Sequence, residues 1–280
     1  MRLKKIIFIF FFFILFFILF KELQNSVFLK KKERINILFY GENVKYLSLS
    51  SLGINYLLEI PVKTKILVPG GYGFYKVGAL GKLASLEKKP EIIERAFSGA
   101  TSSFVDLYFY SDDKVYYSDS KKESFFSKIN FLFFSSSNAN FLDRLFLFFK
   151  IINKKQSDYK IIKIDFDPFD QEKFNEKYQG IFYKKNYREK KPSLQIIYEK
   201  SYSTAYFLSQ IINGEGIRVI DLSFEDNNQK MSHCQIITKK IDNISKDLAD
   251  YFNCQIKKGN PLISDIILKL NSLENQWLIN

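Results

Sequence analysis

Apolar positions follow three patterns along this chain, and each predicts a different kind of element. The first is an unbroken apolar run of 15 residues, Ile6 to Phe20, eight of them Phe. As a helix it spans about 22 Å, against a hydrocarbon core of about 30 Å. Lys5 and Lys21 can snorkel, and Leu23, Val27 and Phe28 can sit at the interface, which makes up the difference. A cleaved signal peptide needs small residues after the run, and Phe20-Lys21-Glu22-Leu23-Gln24 offers none. The pattern therefore predicts an uncleaved, single-pass N-terminal transmembrane helix. A cleaved signal peptide and a buried core helix are the competing readings. Residues 1–34 read as a membrane anchor with a basic juxtamembrane segment.

The second pattern is period-two alternation, the signature of half-buried strands. It predicts strands over 34–40, 44–49, 54–60, 65–68, 104–110 and 159–166. Val115 to Tyr117 is expected to pair with 104–110 across Asp112-Asp113. Pro69-Gly70-Gly71-Tyr72-Gly73 reads as a tight turn needing positive φ. The third pattern is helical spacing, over 77–86, 90–97 and 138–152. Pro90 suits a first turn, and Gly99 is expected to stop that helix. Asn138 or Asn140 caps the third helix, with Leu142, Leu145, Phe146 and Phe149 as its apolar face. Phe125 to Phe134 is ambiguous. Asp167 to Lys191 is polar and reads as loop, and Pro192 marks a boundary. Residues 35–192 thus form one mixed-sheet α/β domain.

Residues 193–280 form a second, smaller α/β unit. Strands are predicted over 194–198, 217–222, 234–238, 254–257 and 263–270, and helices over 203–212 and 245–252. Ser203 is the expected cap of the first helix, with Gly214 and Gly216 near its end. The order is β-α-β-β-α-β-β, a βαββαβ-type sandwich with a mixed sheet.

Charge changes the picture only once it is located. The chain of 280 residues has a formal net charge of +12, which by itself points to nucleic acid or an anionic membrane. Residues 1–34 hold eight Lys/Arg and two acids, or +6. Residues 35–192 contribute +7 and residues 193–280 contribute −1. Half of the excess therefore flanks the apolar run, where it belongs to membrane topology and anionic headgroups. No RNP-like or helix-turn-helix signature appears, so no nucleic-acid partner is expected. Counting flanking charges alone would keep the body inside. Long domains translocate largely regardless of charge, and the expected localisation is a cell-membrane protein with an extracytoplasmic body.

Few residues offer catalytic chemistry. There is one His and there are two Cys, which leaves little room for a His-based triad or a His/Cys zinc site. His233 is expected on an exposed loop. Asp165, Asp167 and Asp170 lack the glycine and terminal glutamate of a calcium loop and read as a solvated loop. The glycine cluster at 70–73 lacks phosphate-loop spacing. Cys234 and Cys254 lie in one unit. They are a candidate disulfide, worth about 3 kcal/mol in a chain-entropy model, or else two buried thiols.

Two stretches carry a resemblance. Ile35-Asn36-Ile37-Leu38, then Leu58 through Pro69-Gly70-Gly71-Tyr72-Gly73 and Lys76-Val77-Gly78-Ala79-Leu80, resembles the LytR-CpsA-Psr domain. Ala96 to Tyr110 resembles a later segment of it. Ser193 to Tyr198 through Gly216 to Ile220 is similar to the LytR C-terminal domain. The resemblance implies a membrane-anchored protein of the cell envelope. Its family moves glycopolymer from a polyprenyl-pyrophosphate carrier onto peptidoglycan, using arginines and metal-holding carboxylates. Here Val62 and Lys63 stand where the family has Arg and Asp, and Leu145, Phe146, Leu147 and Phe148 follow Asp143-Arg144 where Arg and Gln are expected. A neutral Val cannot replace a guanidinium on pyrophosphate.

What the resemblance implies is therefore non-catalytic binding or scaffolding in cell-wall assembly, with no cofactor. The alternative is an active phosphotransferase, with Mg²⁺. Lys63, Lys76 and Arg144 are the candidate anion-binding residues, each with a surface-charge alternative. The implied partners are the membrane and a cell-wall glycopolymer, a polyprenyl-phosphate lipid or envelope proteins.

Overall fold

The computed structural model describes residues 10, 13, 16–17, 20–30, 33–111, 114–118, 129–164, 169–226 and 233–279. Among them no helix is long and apolar enough to cross a membrane. Of the run Ile6–Phe20 only Phe10, Phe13, Phe16, Phe17 and Phe20 are described, so the transmembrane expectation falls mostly outside the described residues.

The chain folds as a mixed α/β protein with two main sheets. The first sheet has the order β7-β6-β1-β2-β3-β8. Its centre is an antiparallel meander of β1 (Arg34–Tyr40), β2 (Val44–Ser50) and β3 (Tyr56–Ile60). β6 (Leu107–Tyr110) joins β1 in parallel, and β8 (Lys160–Lys163) joins β3 in parallel. The two-residue β7 (Ser136–Ser137) closes the β6 edge. Every residue of β1 is buried, because both faces of this sheet are covered. Leu38 and Tyr40 face one core, under the helices Leu80–Glu87 and Glu91–Thr101. Ile35, Ile37 and Phe39 face another, under the helices Ile129–Phe134 and Phe141–Ile151. A separate hairpin, β4 (Lys65–Val68) with β5 (Gly73–Lys76), packs against the first of these cores.

The second sheet has the order β10-β9-β13-β11-β12. Its strands are β9 (Ser193–Tyr198), β10 (Arg218–Phe224), β11 (Gln235–Thr238), β12 (Gln255–Lys258) and β13 (Ile266–Lys269). The helices Tyr202–Glu215 and Asn243–Phe252 join it in a single core, which gives the expected β-α-β-β-α-β-β order. Ser201, not Ser203, caps the first helix by accepting from the Thr204 N–H. Gly216 ends it with φ +101°. Asp242 caps the second in a reciprocal box with Ser245.

Several expectations are corrected. The helix from Glu91 runs through Gly99 to Thr101 and ends at Ser102. Gly99 serves packing instead: a Cβ there would collide with the Phe207 ring. Gly214 is likewise helical, and a Cβ on it would strike the Ser102 carbonyl oxygen. These two glycines let the two units close on each other. Phe104 leaves the strand pattern because it crosses into the second core, stacked 3.9 Å from Tyr251. Val115–Tyr117 does not pair with β6; the Tyr116 N–H donates to the Gly78 carbonyl at 2.9 Å. The polar stretch 167–191 holds two helices, Gln171–Tyr178 and Lys185–Lys190. Tyr187 from the second of them belongs to the C-terminal core.

Candidate anion-binding site

Alternation builds the site. Val62, Thr64 and Ile66 are buried while Lys63 and Lys65 between them are exposed. The inward residues fasten the segment, because Val77 N–H donates to the Thr64 carbonyl and Gly78 N–H to the Val62 carbonyl, both at 2.8 Å. The outward residues are then held apart from the core. The hairpin reverses at Gly70 and Gly71, with φ +93° and +82°, values that favour glycine. Their N–H groups donate to the Leu278 carbonyl at 2.9 and 3.0 Å, which ties the turn to the C-terminal unit.

The reversal places Lys65 directly opposite Lys76 across the antiparallel ladder. Side chains so paired have Cβ atoms about 4.5–5.5 Å apart, and like charges there repel. A third wall comes from residues 115–117. Gly78 admits it, since a Cβ at that position would overlap the Tyr116 carbonyl oxygen. Tyr40 forms a buried prop beneath, its hydroxyl donating to the Val77 carbonyl at 2.9 Å and accepting from Gly81 N–H at 2.8 Å. The result is a cavity of about 520 Å³ lined by Lys63, Lys65, Lys76, Tyr116, Tyr117 and the apolar Val62, Ala79 and Val115. Among the described residues no ion pair reaches any of the three lysines. Burial pushes the Tyr116 phenol up, with nearby Glu42 adding to the rise, while a hydrogen bond with Ser111 pulls the other way. Tyr116 therefore stays a neutral hydrogen-bonding group at neutral pH.

Lys63 and Lys76 are thus brought together, and Arg144 is not. The lysine hairpin packs on the core shared by Leu38 and Tyr40, while Arg144 lies over the Phe109 ring on the opposite face of the sheet. Its Nη1, Nη2 and Nε donate to the carbonyls of Leu132, Ser135 and Ala139 at 2.6, 3.0 and 3.4 Å. Burial lowers its pKa. The fork is spent on holding the 132–139 connection.

The residue that pattern reading missed is Lys65. A signal was available, because Lys65 and Lys76 are equidistant from the Gly70-Gly71 turn and so must face each other in any hairpin turning there.

The other candidates lie elsewhere. His233 is half-buried, 3.1 Å from the Ser272 hydroxyl, and burial lowers its pKa. Asp170 caps the Gln171–Tyr178 helix by accepting from the N–H groups of Glu172 and Lys173. Asp165 and Asp167 lie outside the described residues. No cluster of three or more metal-ligating side chains occurs among the described residues. Cys234 and Cys254 are joined as a disulfide, with Cα atoms 4.8 Å apart. Each immediately precedes a strand of the parallel pair β11 and β12, and the register Gln235↔Gln255 brings them side by side.

No family model matches the chain, no curated protein is significantly similar to it, and no solved structure matches it.

Proposed function

We propose that this chain is a membrane-anchored, extracytoplasmic binding protein of the cell envelope that holds an anionic, phosphate-bearing polymer or lipid carrier, in the manner of a non-catalytic LytR-CpsA-Psr protein. The observation that carries this reading is the cavity where Lys63, Lys65 and Lys76 converge, two of them opposed across a ladder. An anion placed between them relieves their repulsion, and the tyrosines beside it offer hydrogen bonds and a face for a sugar ring. Among the described residues the lining contributes cations and phenols. These groups suit holding an anion, whereas the phosphotransferase alternative needs groups to hold a divalent ion or move a proton.

Two further features support the placement. Phe10, Phe13, Phe16, Phe17 and Phe20 are all strongly exposed, which suits lipid and not water. The Cys234–Cys254 disulfide suits an oxidising compartment.

The test is calorimetric titration of the detergent-solubilised full chain with inorganic pyrophosphate at low salt. Binding is expected without added metal, weakened at least tenfold in Lys65→Glu and in Lys76→Glu. Equal affinity in the variants would overturn the site. Turnover of a polyprenyl-pyrophosphate glycan with Mg²⁺, lost in those variants, would establish the transferase alternative instead. A C-terminal tag cleaved by protease on spheroplasts is the expected topology result, and its full protection would overturn the placement.

A further inference from the structure

The Phe141–Ile151 helix is inverted relative to an ordinary surface helix. Its acid, Asp143, is 1% exposed, and Arg144 beside it is bound to three carbonyls. Its outward stripe is apolar. Phe141, Leu145, Phe149 and Ile152 follow one another at intervals of four and three residues, so they share one face. Phe141, Phe149 and Ile152 are 61%, 63% and 52% exposed, and Phe134 on the adjoining helix is 85% exposed. The sequence pattern selects Leu142, Leu145, Phe146 and Phe149 as the apolar face; the first three are half-buried and Phe149 is exposed, so that face is not the one that meets the core. The core is met instead by Leu147, with Asp143 beside it.

The same helix holds the start of the chain. Asp143 Oδ1 accepts from the Ser26 hydroxyl at 2.7 Å and from the Phe28 N–H at 3.2 Å. Asn140 Nδ2 donates to the Glu22 carbonyl at 2.9 Å, and the Phe28 ring lies 6.1 Å from that of Phe146. The segment carrying Phe16, Phe17 and Phe20 therefore leaves the body beside the exposed stripe. Lys150 and Lys154, both exposed, stand at the far end of the helix.

We propose that the face formed by Phe134, Phe141, Phe149 and Ile152 lies in the acyl–headgroup boundary of the bilayer, so that the body rests on the membrane rather than hanging from its anchor. The inference rests on the anchored reading above. Continuity with the apolar N-terminal segment selects lipid as the occupant, and the terminal lysines match anionic headgroups. A stripe of phenylalanines without outward hydrogen-bonding groups needs only an apolar medium. The lysine cavity, on the opposite face of the sheet, then opens away from the bilayer.

The test places a tryptophan reporter on the face. The native chain has one Trp, Trp277, which is 3% exposed in the C-terminal core and supplies a constant background. Full-length Phe149→Trp, Phe134→Trp and, as a control on the second unit, Tyr206→Trp are incorporated into nanodiscs containing acyl-brominated phosphatidylglycerol. The expected result is at least twofold quenching of the first two reporters and none of the third. Unquenched reporters in an incorporated chain would overturn the proposal, and a crosslinked dimer through the same positions would assign the face to a second copy. Failure of the chain to incorporate would overturn the anchor alone. Quenching of the same reporters by added vesicles would then still support the face, and its absence would overturn that too.

Discussion

On one face of the six-stranded sheet, Lys63, Lys65 and Lys76 stand in water around a cavity. On the other, Arg144 is folded inward onto three carbonyls while Phe141 and Phe149 are turned out. The same residue class thus does opposite work on the two sides. A cation with its donors spent on the backbone is part of the scaffold. Cations opposed to one another leave an electrostatic cost that a bound anion removes. The difference teaches that charge alone does not mark a site; what matters is whether the fold has already neutralised or satisfied it.

A large expected effect tests the scaffold side. Arg144→Ala leaves the carbonyls of Leu132, Ser135 and Ala139 without their donors. Hydrogen bonds to a charged group contribute about 1.5–3 kcal/mol each, and these are not additive. A loss of about 2–3 kcal/mol is expected in urea denaturation, with pyrophosphate affinity unchanged. Unchanged stability together with weakened affinity would make Arg144 a ligand residue and collapse the contrast.

Next comes the cavity. Lys65→Glu with Lys76→Glu should lower pyrophosphate affinity by at least tenfold, about 1.4 kcal/mol, without loss of fold. Circular dichroism checks the fold and calorimetry the affinity. The Lys150→Glu variant is the control from the other face and should change neither. If it weakens pyrophosphate binding as much as the cavity variants do, the interaction is a diffuse response to net charge.

How far the two faces could be foreseen differs for physical reasons. The first strand of the lysine hairpin and its glycine turn were legible because alternation and turn chemistry are local; the returning strand Gly73–Lys76 was not read, although counting outward from the turn sets Lys65 against Lys76. The C-terminal order was legible because its strands alternate and Gly216 ends its helix by local bonds, whereas the Asp242 cap that starts the second helix was not read. What could not be read depends on distant partners. Gly99 and Gly214 look like helix stops until Phe207 and Ser102 are brought against them. Arg144 looks free until the 132–139 connection folds over it. The Gln171–Tyr178 helix was hidden by its polarity: only Phe174 is buried, and Asp170 supplies the cap. Periodicity marks the Phe141–Ile151 helix as amphipathic but selects Leu142, Leu145, Phe146 and Phe149, whereas Phe141, Phe149 and Ile152 are the exposed ones; nor can it distinguish a core from a bilayer as the destination of a stripe.

A smaller effect on stability separates that destination from the core. Phe149→Ser and Phe134→Ser should shift the unfolding free energy in detergent by no more than about 0.5 kcal/mol, since both side chains are already exposed. Leu147→Ala, one turn along on the inner side, removes a side chain that is 0% exposed and should cost about 2–5 kcal/mol. Equal losses at the two kinds of position would mean that the stripe is packed against protein.

Another small effect carries the sharpest sign. Lys65 and Lys76 face each other in register, so in the absence of ligand Lys76→Glu should stabilise the chain by about 0.2–1 kcal/mol, replacing repulsion by attraction. On the proposed reading, pyrophosphate binding to the folded wild type should add RT ln(1 + [L]/Kd) to its stability, a gain the variant forgoes. Thermal melts should therefore place the variant above the wild type without the anion and below it at saturating anion. The crossing distinguishes a binding site from an indifferent surface, where both curves would move together. A wild type already more stable than the variant without ligand would show that the lysine pair carries no strain, and the contrast between the two faces of the sheet would lose its physical basis.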